Sequence, residues 1–453
     1  MVDGRSSREA ALAVARRLAA HGHRALFAGG AVRDRLLGRE PGDHDVATAA
    51  TPEEVEALFP GALTVGARFG VVVVPADGAN IEVATFRADG RYVDGRHPDQ
   101  VTFSDPPTDA SRRDFTVNGL FEDPETGEVL DYVGGRADLS ARLLRAIGDP
   151  EARFREDHLR LLRAVRFACA LGFAIEPQTF VAVRRLAPLA ADVSNERIRD
   201  EILKTLRAGR GRGLRLLARS GLLAVVLPEI EAMRGVPQPP PYHPEGDVFF
   251  HTALVLDRLD LSGAGPDECD ALLLGALLHD VGKPPTRTTD PDGRIRFNGH
   301  DALGAEMSAT LLERLRLPGR VTEQVGALVG AHMTFPNLPK MRQNRLRRFL
   351  GAPDFPLHLA LHRADCGASH GDLSLAAYCE ERLAAFAGEP VLPPPLVKGR
   401  DLLALGYRPG PRLGAILEWL RELQLDGVVH DAPEAVRRVL EAYPPDASES
   451  PGP

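Results

Sequence analysis

The chain has 453 residues, with 44% hydrophobic and 26% charged side chains. That is the balance of a soluble globular protein, at a length that suits about three domains. Its 44 glycines and 37 prolines stop short of low complexity, and its four scattered cysteines form no CxxC pair, which excludes a disulfide scaffold and implies reduced, cytosolic thiols. The net charge of −8 does not advertise nucleic-acid binding, yet between Arg153 and Arg219 there are 15 basic and 7 acidic side chains, a local excess suited to a phosphate backbone.

In chain order, residues 7–20 have the apolar spacing of a helix, and 25–28 reads as a strand ending at Gly29-Gly30. A short helix is predicted over 31–38. Strand-like runs follow at 62–65, 69–75, 80–86, 100–103 and 129–132, separated by turn-rich text. From about residue 149 the pattern turns helical. EDHLRLLRAVRFACAL (156–171) is amphipathic at a period of 3.6, and further helices fit 195–208 and 212–226. GVPQPPPYHPEGD (235–247) is a connector rich in proline, and GEPVLPPPL (388–396) is a second one. The expected fold is α+β. A mixed α/β head with a small sheet (1–147) precedes an all-α neck and body (148–236), an all-α domain (245–387), a C-terminal helical segment (397–445) and a disordered tail (446–453). The longest apolar runs, such as 271–278, are far too short to cross a membrane, and no secretory leader pattern opens the chain. A cytoplasmic protein without a membrane partner is expected, with its oligomeric state open.

LFAGGAVRD (26–34) sets Gly29 and Gly30 at a strand–helix corner, where backbone N–H groups approach a phosphate and Arg33 reaches the same anion. In DHDVAT (43–48), Asp43 and Asp45 point the same way if the backbone is extended. Two such charges repel unless a cation lies between them, and an all-oxygen pair suits Mg²⁺. Glu82 adds a third acid in the otherwise apolar IEVATFR (81–87). Phosphoryl transfer assisted by two metal ions uses this set to clamp a triphosphate, activate a 3′-hydroxyl and release pyrophosphate.

The order Gly-Gly, DxD, then a lone acid in a strand resembles the polymerase-β-like nucleotidyltransferases. The text is closer still to the class II tRNA nucleotidyltransferases (CCA-adding enzymes) and bacterial poly(A) polymerases. GGAVRD, DHDVATAATPEEV, EVATFR, DGRHPDQVTF, RRDFTVNGL, DYVGGRADL, IGDPEARFREDHLRLLRAVRFA and VSNERIRDEI carry the resemblance across about residues 24–230. His44 departs from it, standing where an apolar residue is usual. The resemblance implies that Asp43, Asp45 and Glu82 are catalytic, and that Gly29, Gly30 and Arg33 hold the triphosphate. It also implies ribose recognition by Arg113 and Asp114 of RRDFTVNG, with Asn118 beside them. The loop 88–100 resembles the flexible loop these enzymes use when switching from C to A.

Asp157 and Arg160 are three apart in a predicted helix, hence neighbours on one face, with Arg163 continuing the row and Arg166 turned further round. A carboxylate acceptor beside a guanidinium donor matches the amine and ring nitrogen shared by cytosine and adenine, and mismatches uracil and guanine. The resemblance implies base selection here. Expected partners are therefore ATP, CTP and a tRNA 3′ end, and the expected reaction is addition of CMP, CMP and AMP. An enzyme adding A alone, or a poly(A) polymerase, shares nearly every motif.

His251, the adjacent His279-Asp280 of HDVGKP, and Asp365 lie in helical text and resemble the HD superfamily of metal-dependent phosphohydrolases. The resemblance implies a divalent transition metal or Mg²⁺ on these four, a possible second metal on His300 and His332, and substrate phosphate on Lys283. Opening of a 2′,3′-cyclic phosphate at an RNA end is one expected use. An HD phosphohydrolase whose head only binds RNA is the alternative from another class.

Overall fold

The computed structural model describes residues 4–63, 70–92, 95–96, 98–386 and 390–445. The expected tail and parts of loop 88–100 and of the second connector lie outside these. The chain forms two compact units, 1–232 with 313–317, and 233–312 with 318–453.

The first unit opens with the helix Gly4–Ala20, whose Ala11, Val14, Ala15 and Leu18 are buried against a six-stranded sheet. The strands are β1 (Ala25–Ala28), β2 (Asp45–Thr48), β3 (Val71–Ala76), β4 (Ala79–Thr85), β7 (Leu120–Glu122) and β8 (Val129–Asp131), with β5 (Arg87–Asp89) and β6 (Val101–Phe103) pairing as a separate hairpin. The sheet order is β3-β4-β2-β1-β7-β8, and β2–β4 is its parallel pair. Leu26, Ala28, Ala47, Phe86 and Phe121 form a core beneath one face. The predicted strand at 62–65 reduces to a bridge between Leu63 and Val73, with 64–69 outside the described residues.

The helical part differs from expectation in two places. The single helix expected over 156–171 is two, Pro150–Glu156 and Leu159–Leu171. Asp157 between them is extended (φ −137°, ψ 107°), and its carboxylate accepts the Leu159 N–H at 3.1 Å, a local bond that competes with helix formation. Conversely, the helices expected at 195–208 and 212–226 are joined in Asn195–Arg219, broken within by Arg210 at φ 46°, ψ −129°. A two-residue strand pair, Leu143–Leu144 with Ala174–Ile175, also stands in this otherwise helical region.

The second unit centres on the helix Pro266–Leu278, buried at every position from Ala271 to Leu278 as its all-apolar text requires. The helices Val248–Arg258, Gly319–Ala331 and Phe355–Ala368 pack around it. A small ribbon, Thr288–Thr289 with Ile295–Arg296, interrupts the expected all-α domain, and Gly293 at φ +83° makes its turn. Leu402, Leu413, Ile416, Leu420 and Val439 give the C-terminal helices a core of their own.

Candidate functional site

The head site is built on the parallel pair. Val46 lies opposite Val83, so the register sets Asp45 level with Glu82. Asp43 precedes the strand rather than lying in it, yet the alternation expected from DHD holds. His44 is buried edge-on against Phe27, with ring centroids 5.6 Å apart, while Asp43 and Glu82 are exposed. Burial, then the nearby Asp43 and Glu82, push the Asp45 carboxyl up to about 7. A carboxyl whose charge is disfavoured by two neighbouring acids fits a divalent cation coordinated by oxygen.

Gly29 caps the helix Gly30–Leu36 at φ +68°, and a Cβ there would stand 3.0 Å from the Arg113 guanidinium. Arg113 also opposes the rise of the Asp45 pKa, so its charge acts on the carboxylates as well as standing beside the glycine corner. It is held by Asp109 at 2.9 Å and lies over the Phe121 ring.

Arg33 is buried and donates to the Asn118 side-chain oxygen at 2.6 Å, Asn118 donates to Asp114 at 3.0 Å, and Arg163 donates to the other Asp114 oxygen at 2.5 Å. Burial opposes the Asp114 charge, but Arg163 and Asn118 more than offset it and hold its pKa at about 2. Arg33, Arg163 and Arg166 all lie over the Phe167 ring, and Arg166 is paired with Glu201 at 2.9 Å. Glycine corner, RRDFTVN segment and Arg-bearing helix thus form one network.

Asp157 and Arg160 are not paired. Asp157 sits outside the helix and meets Arg197 at 3.3 Å. Arg160 is buried and donates to Glu156 at 2.5 Å and to the carbonyls of Arg153 and Arg112 at 3.0 Å. Between them in sequence, His158 receives the tip of loop 88–100. Its N–H donates to the Gly95 carbonyl at 3.0 Å, and a Cβ on Gly95 would stand 2.4 Å from its ring. Asp109, Phe167 and Arg197 escaped the sequence reading: Asp109 and Phe167 stand at helical spacing from Arg113 and Arg163, a signal that was available, whereas only tertiary contact brings Arg197 to Asp157.

The second site lies in the other unit. His251 is on the helix Val248–Arg258, His279 and Asp280 follow the central helix, and Asp365 is on Phe355–Ala368. His251 Nε2 is 3.0 Å from Asp365 and 3.3 Å from His279 Nε2, and His300 Nε2 is 3.1 Å from His332 Nε2. Asp280 reaches His279 at 3.3 Å, His300 at 3.5 Å, His332 at 3.8 Å and Lys283 Nζ at 2.7 Å. All six expected ligands and Lys283 therefore converge.

The other ring nitrogens assign the tautomers. His279 Nδ1 faces the Ala276 carbonyl at 2.9 Å, His300 Nδ1 that of Phe297 at 2.7 Å, and His332 Nδ1 that of Val329 at 2.6 Å. His251 Nδ1 faces the Glu245 carboxylate at 2.6 Å. Each Nδ1 then carries the proton and each Nε2 a lone pair. Four lone pairs and two carboxylates aimed at one buried space fit one or more divalent cations. In their absence, burial opposes charge on His251, but hydrogen bonds to Asp365 and Glu245 raise it to about 9, whereas burial and His279 lower His332 to about 4. A cavity of about 490 Å³ opens over the cluster, and Lys283, Arg294, Arg296, Phe297 and Met333 are among its lining residues.

These two sites define a nucleotidyltransferase-type head and an HD-type cluster of histidines and aspartates. Comparisons with known proteins agree. Residues 25–145 match the poly(A) polymerase head domain, 172–234 the probable RNA and SrmB-binding site of polymerase A, and 248–365 the HD domain. The A-adding tRNA nucleotidyltransferase of Deinococcus radiodurans is 38% identical over 451 residues, covering 94% of this chain and 96% of that one. The CCA-adding enzyme of Geobacillus stearothermophilus is 48% identical over 216 residues, 47% of this chain and 53% of that one. The match to such CCA-adding relatives thus spans about half their length. The crystal structure of the Bacillus stearothermophilus CCA-adding enzyme with CTP superposes with a TM-score of 0.71 at 30% identity, covering 95% of this chain and 97% of that one. The chain belongs to the tRNA nucleotidyltransferase and bacterial poly(A) polymerase family, and it is an enzyme. Among the described residues no helix is long and apolar enough to cross a membrane.

Proposed function

We propose that the chain completes tRNA 3′ ends by stepwise transfer of CMP, CMP and AMP from CTP and ATP. The observation that carries this is the convergence of Asp43, Asp45 and Glu82 beside the Gly29 corner. In each cycle the terminal 3′-oxygen bonds to the nucleotide α-phosphorus, and pyrophosphate leaves. Asp43 and Asp45 hold Mg²⁺, which supplies charge stabilisation and lowers the pKa of the attacking hydroxyl when bound. Glu82 assists at that hydroxyl. Gly29, Gly30 and Arg33 hold the triphosphate, and Arg113, Asp114 and Asn118 the ribose. Asp157 and Arg160 select the base, exchanging Arg197 and Glu156 for the nucleotide, while Arg163 and Arg166 support them from the Phe167 stack. Residues 1–147 form this head, and 148–236 the neck and body that carry the acceptor RNA on their arginine-rich surface.

The test is a tRNA ending at its discriminator base, given CTP and then ATP. Growth by two C and one A is the expected result, and no incorporation of C refutes it. A second reading, addition of A alone, is favoured by the near full-length likeness to the A-adding enzyme. Growth only on tRNA already ending in CC is its signature.

In residues 245–387, His251, His279, Asp280 and Asp365 hold a divalent metal, His300 and His332 a second, and Lys283 the phosphate of a phosphoester such as a 2′,3′-cyclic phosphate. Hydrolysis of bis-p-nitrophenyl phosphate with Mn²⁺, lost in His279→Ala, is the expected outcome. No bound metal and no hydrolysis by the parent refutes it.

A further inference from the structure

The four histidines of the second site are not held alike. His279 and His332 each follow the last residue of a helix, and His300 opens one. The last carbonyls of a helix lack helical partners, and His279 and His332 each take one three residues earlier, while His300 takes the Phe297 carbonyl, which precedes its helix. His251 lies inside its helix, and the equivalent carbonyl, that of Val248, already accepts the Thr252 hydroxyl at 2.9 Å. Its Nδ1 proton goes instead to a side chain from outside the helix, Glu245.

Glu245 belongs to the proline-rich connector, in HPEGD (243–247), to which neither the motif reading nor the proposed metal ligands assign a task. Its side chain is only 7% exposed. One oxygen accepts from His251 Nδ1 at 2.6 Å and from His243 Nδ1 at 3.0 Å, and the other is buried without a hydrogen-bond partner. The segment is fixed at its far end by Asp247, which caps the His251 helix through the Phe250 N–H at 2.7 Å and accepts the Gly235 N–H at 2.7 Å. His243 meets the His251 ring edge-on, with centroids 4.8 Å apart, and reaches the cavity wall. A buried carboxylate that is not neutralised by Lys or Arg, and is shared between two imidazoles, is costly unless it has a use.

We infer that Glu245 is the positioning residue of the metal centre: it fixes the His251 ring with Nε2 aimed at the cation and strengthens that nitrogen as a donor, and His243 holds it in place. This rests on the reading of the cluster as a metal site. Partners behind a ligating histidine typically change metal affinity by about 10–100-fold.

The test titrates Mn²⁺ alone into the full-length chain by calorimetry, with nucleotide incorporation by the head as the check on folding. Glu245→Ala is expected to weaken Mn²⁺ binding by about 10–100-fold. Glu245→Gln, whose amide oxygen still accepts the Nδ1 proton, is expected to recover part of that loss. In chain labelled with ¹⁵N-histidine, the His251 Nδ1–H signal is expected in the parent and lost in Glu245→Ala. Parent-like Mn²⁺ affinity in both variants, with binding abolished by His251→Ala, overturns the role of Glu245 and leaves the metal centre standing. If the parent itself binds no Mn²⁺, the metal reading fails and this inference with it. An Nδ1–H signal unchanged in Glu245→Ala also overturns it, whatever the metal does.

Discussion

Asp114 ties the head to the arginine-bearing helix, and its charge makes it sensitive to acid. Its pKa is depressed in the fold to about 2. The unfolded chain takes up that proton at a higher pH, so the stabilisation is complete above about pH 4 and fades as pH falls towards 2. Asp114→Asn keeps the shape but leaves Arg163 without its anion. Because Arg163 is 32% exposed, water softens the loss, and about 2 kcal/mol is expected at pH 7. Urea denaturation of parent and variant across pH 3–7 should show the gap narrowing only at the acid end. Asp43→Ala is a different kind of change, because that side chain is exposed. It should abolish nucleotide incorporation, by at least about 1000-fold, with the melting temperature nearly unchanged. The carboxylates were legible in the sequence because DHD and IEVAT keep a period of two, which sends His44 inward and leaves the acids outside. The partners of Arg160 were legible only in part: Glu156 is four residues away, but the Arg112 carbonyl reaches it only after the chain has folded.

At the scale of elements, two of the glycine contacts that leave no room for a side chain bear on the head and its neighbouring helices. Where Leu159–Leu171 crosses Asn195–Arg219, a Cβ on Gly209 would stand 2.6 Å from the Cys169 sulfur. Gly209→Ala should destabilise the first unit by about 1–3 kcal/mol in urea melts, through overpacking. Gly95 is the second: the added methyl would meet the His158 ring, and φ of +68° is strained for any L-residue. Gly95→Ala should free the hairpin tip, seen as faster amide exchange at His158, and lower AMP incorporation about tenfold if seating the tip helps select the base. Element boundaries explain much of what periodicity missed. The apolar period runs unbroken through 156–171, but the Asp157 side chain bonds its own backbone and splits the helix. β7, three residues long and buried throughout, has no alternation to read. Connectors have no period at all, which is why Glu245 went unnoticed beside a histidine that was found.

On the scale of the whole molecule, each unit has its own core and its own site, so their chemistries should separate. His279→Ala is expected to remove phosphohydrolase activity and leave nucleotide incorporation at the parent rate, while Asp45→Ala does the reverse. Loss of both activities in either variant would show that the two sites depend on one another. The family and the two-part architecture were legible because many ordered motifs survive along the chain. The division into units was less so, since 313–317 cluster with the first unit although their neighbours on both sides belong to the second.

Three of the four imidazoles around Asp280 are anchored by peptide oxygens, which no codon change can delete. The fourth anchor is a glutamate, and it alone is open to mutation. If evolution or an engineer were to retune which cation the proposed centre prefers without disturbing its ligands, that single gene-encoded latch is where the adjustment would be made.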